Sequence, residues 1–253
     1  MRTSNPVLSA TTMDSFRGEF FPASQSMTIQ GTATKSLILL GLCVGTGSMT
    51  FEMMHGQNQA AAMPWMFGGL IASLVFGMAT SFKPNWSPVT APLYAMAEGL
   101  LLGAISGMYE KMFYGIVPQA ALATFGTLAA MLFAYKTGVI RATNGLVMGV
   151  AAATGGIGLM YLVAMIAGMF GVQLPFLHQP SLIGIGISVV IVIVAALNLI
   201  IDFNSIQQAA ERGAPKYYEW YSAFALMVTL VWLYVEILRL LAMIAQYTQS
   251  NRD

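Results

Sequence analysis

The stretch YYEWYSAFALMVTLVWLYVEILRLLAMIAQ, residues 217–246, decides the fold class. At 1.5 Å of rise per residue it is long enough, as a helix, to cross a hydrocarbon core about 30 Å thick. It also carries Glu236 and Arg239 within its apolar part. A charge at the centre of a membrane helix costs roughly 2.5–3.5 kcal/mol on insertion scales, so both side chains need partners or a purpose. Spaced three apart, they share one helix face, where they either neutralise each other as a structural pair or serve an ion path.

The rest of the chain has the same character. Of 253 residues, 57% are hydrophobic and only 8% charged, which marks an integral membrane protein rather than a soluble domain. The formal net charge is +1 and there is no basic run to follow a phosphate backbone, which argues against nucleic acid as a partner. The lone Cys43 makes neither an internal disulfide nor a zinc cluster. No cleavable signal peptide is recognisable, because the first apolar run starts only near Ala33 and is long enough to span.

Residues 1–32 are polar and rich in Ser and Thr, with Phe16, Phe20 and Phe21 as the one bulky cluster, and read as a cytoplasmic tail. Seven apolar segments follow within residues 33–246, at about 33–54, 62–82, 88–109, 114–135, 145–171, 181–203 and 217–246. Residues 247–253 form a short second tail. Every backbone group in lipid needs an internal partner, so segments of this length are helices rather than barrel strands. The expected fold is therefore all-α, a polytopic bundle of seven transmembrane helices.

Alternate loops differ in basic charge. One side holds Arg2, Arg17, Lys35, Lys83, Lys136, Arg141, Arg212 and Lys216, and the other holds Lys111, Arg239 and Arg252, of which Arg239 reads as intramembrane. The amino terminus is thus expected in the cytoplasm and the carboxyl terminus on the opposite face. Gly99, Gly103 and Gly107 on the third helix, and Gly149, Gly155, Gly156 and Gly158 on the fifth, form stripes that let helix backbones approach closely. The 19 methionines are scattered, as adaptable packing residues are, without the repeated spacing of a metal pathway.

Polar residues in other apolar segments include Glu98, midway along the third helix, and Asn198 and Asp202 on the sixth. Glu98 shares a face with Tyr94, Leu102, Ile105 and Tyr109, roughly 100° to 180° away from the glycines, so the third helix needs neighbours on two sides. The sixth helix carries a stripe of Gly184, Ser188, Ala195, Asn198 and Asp202. The seventh carries Tyr218, Ser222, Ala225, Thr229, Trp232 and Glu236 at similar phase. Such faces either pack tightly or line a narrow wet path. With the hairpin apex at Gly213, Ala214 and Pro215, Asp202 lies opposite Leu226, roughly 15 Å in depth from Glu236, too far for a shared carboxylate pair.

The start NPVL (5–8), then SPVTAPLYAMAEGLLLGAISGMYE (87–110), YKTGVIRAT (135–143), AALNLIIDF (195–203), GAPKYYEWY (213–221) and LYVEILRLL (233–241) form an ordered set. It resembles the Bax inhibitor-1 (transmembrane Bax inhibitor motif) family, in particular its prokaryotic, YccA-like branch. The resemblance implies two groups of three helices around a central last helix. It also implies a pH-sensitive calcium leak, or binding to a membrane protease of the FtsH type. Family members with the leak pair an aspartate of the sixth helix with one of the seventh. Asp202 matches the first; constant turn length puts the second near Leu226 or Met227, and the LY-x-acid pattern puts it at Glu236. A basic latch residue of the second helix has no counterpart between Met63 and Ser81.

The leading expectation is a monomeric, pH-sensitive cation leak of the inner (plasma) membrane, with a path between the third, sixth and seventh helices. Asp202, Glu98 and Glu236 would offer hard oxygen ligands to a permeating calcium ion, with Asn198 beside the path and Arg239 holding Glu236 in the closed arrangement. Protonation would remove carboxylate charge and weaken cation binding. The alternative is a non-conducting regulator of a membrane protease, acting through residues 1–32 and 203–216. An enzyme is not expected. His55 and His178 sit in predicted external loops with no nucleophile or ligand cluster near them, and no H-E-x-x-H helix or phosphate-cradling loop is present. No resident cofactor is called for.

Overall fold

A computed structural model describes residues 26–56, 59–170 and 181–250. Seven long helices account for nearly all of them: α1 (Ile29–His55), α2 (Gln59–Phe82), α3 (Ser87–Met112), α4 (Ile116–Lys136), α5 (Asn144–Met169), α6 (Leu182–Glu211) and α7 (Tyr218–Ser250). All seven are long and apolar enough to cross a membrane. The large apolar side chains left exposed, such as Leu37, Ile71, Leu122, Val163 and Ile183, would be a liability in water and are the natural exterior in lipid.

Local chemistry explains where the helices start and stop. Thr28 caps α1 by accepting the Gly31 N–H at 2.9 Å, and Thr143 caps α5 by accepting the Leu146 N–H at 3.3 Å. A 3-10 turn, Pro84–Trp86, leads into α3, where a proline in the first turn lacks the N–H that would have had no helical partner. α6 ends at Gly213 with φ at 67°, a left-handed geometry that costs glycine nothing. The N–H of Gly213 reaches the Ala210 carbonyl and that of Ala214 the Ala209 carbonyl, both at 3.1 Å, and so close a Schellman cap before Pro215 stops the helix.

Several boundaries differ from the sequence expectation. α1 begins at Ile29 rather than near Ala33, so the last residues assigned to the tail are already helical. Residues 1–25, with the Phe16, Phe20 and Phe21 cluster, lie outside the described residues, as do His178 and Arg252. α6 runs on to Glu211 where a loop was expected from about 203. The reason is a second, amphipathic pattern: Asp202, Ser205, Ile206 and Ala209 repeat on one face and are all buried.

The chain divides into two compact units. One consists of α1, α2 and α3 with Asp202–Val228; the other consists of α4, α5, α6 as far as Ile201 and α7 from Thr229. In the first, α3 packs against α1 through bare backbone. A Cβ on Gly103 would fall on the Gly47 carbonyl of α1, and one on Gly99 would fall on the Cys43 carbonyl. Thr46 Oγ1 donates to the Met96 carbonyl at 2.9 Å across the same seam. On another side α2 meets α3 at Gly69, where a Cβ would come within 2.7 Å of the Ala97 carbonyl, and Thr80 Oγ1 bonds Thr90 Oγ1 at 2.7 Å. Tyr94 meets Phe224 edge to face, centroids 4.8 Å apart. The expectation that α3 needs two neighbours is met.

In the second unit, Val147 and Val150 of α5 pack with Val194 and Ile201 of α6, and Trp232 of α7 closes the cluster. The expectation for the glycines of α5 is overturned. A Cβ on Gly149, Gly155, Gly156 or Gly158 would meet nothing within 4 Å, so α5 packs through its branched face and leaves its glycine face open.

Candidate functional site

Polar side chains on the membrane helices gather in separate centres. In the unit holding α5 and most of α7, Glu236 is 3% exposed. Tyr161 Oη of α5 donates to Glu236 Oε1 at 2.6 Å, Trp232 Nε1 donates to the same oxygen at 3.3 Å, and Arg239 Nη2 lies 2.8 Å from Oε2. The Arg239 guanidinium also sits 5.3 Å from the centre of the Tyr161 ring. Glu236 and Arg239 are therefore the neutralising pair that their spacing allows. Two aromatic donors, one of them a full helix away, complete the shell.

Nearby in sequence but on α6, Asn198 Nδ2 donates to Thr154 Oγ1 of α5 and to the Val194 carbonyl, each at 2.9 Å. One hand of the amide ties α6 to α5, and the other caps a carbonyl of its own helix. The polar stripes of α6 and α7 are turned inward: Ser188, Ala195, Asn198, Asp202, Tyr218, Ser222, Ala225, Thr229 and Glu236 are all buried.

The other unit holds Glu98 and Asp202. Asp202 is 1% exposed and lies well inside α6, about two and a half turns before its end at Glu211, rather than at the helix end. Glu98, midway along α3, is 9% exposed and lies near the Ser73 hydroxyl of α2. Tyr94 of its own helix and Cys43 of α1 are close enough to feel its charge. Ser73 Oγ also reaches the Leu70 carbonyl at 3.1 Å.

Among the described residues no group of three or more His, Cys, Asp or Glu side chains is placed to hold a metal ion. Of the carboxylates Asp202, Glu98 and Glu236, the last already pairs with a cation, Arg239.

A carboxylate outside the predicted site residues is heavily bonded. Glu219, in the first turn of α7, is completely buried. Its Oε1 accepts from the Thr28 N–H at 2.9 Å and from the Thr28 hydroxyl at 3.0 Å, and pairs with Lys216 Nζ at 2.8 Å. Its Oε2 pairs with Lys35 of α1. The Lys216 contact, three residues back, was open to sequence reasoning. Thr28, Lys35, Ser73, Thr154 and Tyr161 carried no signal, because each finds its partner across a long separation in sequence.

A family model described as Bax inhibitor 1 like matches residues 5–246. No curated protein and no solved structure was found to match. Seven spanning helices and a family match over nearly the whole length fix the chain's kind. This multi-pass membrane protein belongs to the Bax inhibitor 1 like family.

Proposed function

We propose that the protein is a pH-sensitive cation leak, with calcium as the principal ion, in the cell's inner membrane. The observation that carries this reading is Glu98, a carboxylate buried at the middle of a membrane helix that forms no ion pair among the described residues. An acidic group kept at that depth without a fixed counter-charge either holds a proton or receives a mobile cation, and the two are alternatives at one site. Family membership supports the same reading. The inner-membrane orientation, amino terminus in the cytoplasm, rests on the unequal distribution of Lys and Arg.

In this mechanism Glu98 and Asp202 supply single carboxylate oxygens to a partly hydrated ion, a mode that calcium's flexible coordination tolerates. Protonation of Glu98 cancels the charge and closes the site. Glu236 braces the helices, because its charge is committed to Arg239. The test is calcium flux into liposomes across a range of pH. The wild-type leak should fall as pH falls, and Glu98→Gln and Asp202→Asn should each reduce it at neutral pH. A leak that both variants leave unchanged sinks the assignment.

A further inference from the structure

The residues immediately before α1 are attached to the turn between α6 and α7. Ser26 pairs with Pro215 in an antiparallel bridge, and the Met27 N–H donates to the Ala214 carbonyl at 2.7 Å. Met27 and Ala214 are both 3% exposed. Glu219 fastens this pairing from beneath through Thr28, Lys35 and Lys216, so one buried carboxylate touches the lead-in to α1, the body of α1 and the turn itself. Gly31 is cut to fit, since a Cβ there would overlap the Glu219 carboxylate. Ser87 Oγ, opening α3, donates to the Tyr217 carbonyl at 2.9 Å and holds the far side of the turn.

Two cations answering one anion would be wasteful as plain stabilisation. Lys216 is half exposed and spans only three residues, so its contact adds little by itself. Lys35 and Thr28 are another matter, because they reach Glu219 from 184 and 191 residues away. We infer that residues 26–28 form a strap over the α6–α7 turn, locked by Glu219, so that freeing the strap frees the turn. Anything that engages the chain ahead of Ser26 then acts on the hairpin carrying Asp202 without touching it. The inference stands whether or not the protein conducts ions.

The test is hydrogen–deuterium exchange on the full chain in lipid nanodiscs, read at three places: residues 26–30, residues 211–217, and a reference segment in α5. Glu219→Gln keeps the side chain's shape and removes its charge. It should speed exchange in both the strap and the turn by about tenfold, with the α5 reference unchanged. The same variant carrying Met27→Cys and Ala214→Cys, in a Cys43→Ala background and oxidised, should return the turn to its original rate. A strap that loosens while the turn keeps its rate overturns the inference, as does a turn that the disulfide fails to restore. Should Glu219→Gln not fold, Lys35→Met removes one contact only and should give a smaller, parallel rise in both segments; a rise in one alone counts against the strap.

Discussion

Tyr161 Oη donates to Glu236 Oε1 across 2.6 Å and so ties α5 to α7 over 75 residues of sequence. The bond does chemical work that Arg239 cannot do alone. Arg239 neutralises one carboxylate oxygen, and the phenol and the Trp232 indole satisfy the other. Tyr161→Phe removes one hydrogen bond to a charged acceptor and should cost about 1.5–3 kcal/mol. The fall in thermal midpoint of purified protein in detergent measures it.

Removing the acid itself should be worse. Glu236→Ala leaves the Arg239 guanidinium uncompensated in an apolar setting, and breaking a buried pair from one side costs about 3–5 kcal/mol. Replacing both residues together, Glu236→Leu with Arg239→Leu, should cost less than Glu236→Ala alone. Thermal midpoints of Glu236→Ala, Arg239→Leu and the double variant compared in one detergent decide this, and additive losses would show that the two charges act independently.

The two glycine stripes should respond in opposite ways. Gly103→Ala pushes a methyl into the Gly47 carbonyl and must separate α1 from α3, so it should lower the thermal midpoint or abolish folding. Gly149→Ala meets open space and improves helix propensity by about 1 kcal/mol, so stability should hold or rise. Unfolding curves of the two single variants are sufficient.

Thr154→Val deletes the acceptor for Asn198 while keeping shape. Asn198 still has the Val194 carbonyl, and side-chain bonds between membrane helices average only about 0.6 kcal/mol. The expected shift in midpoint is therefore small, well below that of Tyr161→Phe.

How much of this could be read from sequence follows from which interactions are local. The seven helices were legible because lipid demands long apolar runs, and the Glu236–Arg239 pair because three residues of helix fix its geometry. α6 was read short, since FNSIQQAAE looks polar until its buried face at Ser205, Ile206 and Ala209 is seen. The stripes on α3 and α5 are alike as strings. Only the position of α1 separates a seam from an open face, and no spacing rule encodes a neighbour's position. Glu219 was invisible as a centre for the same reason, because Lys35 and Thr28 come to it from the other end of the chain.

The pairing of Met27 with Ala214 also sets a limit on how far the protein can be shortened. A truncated chain that starts after Thr28 loses the cap of α1, the bridge to the turn and two of the four contacts to Glu219 in a single cut. Deletions meant to remove the amino-terminal tail should therefore stop at residue 25, and a cleavable fusion tag belongs ahead of that point.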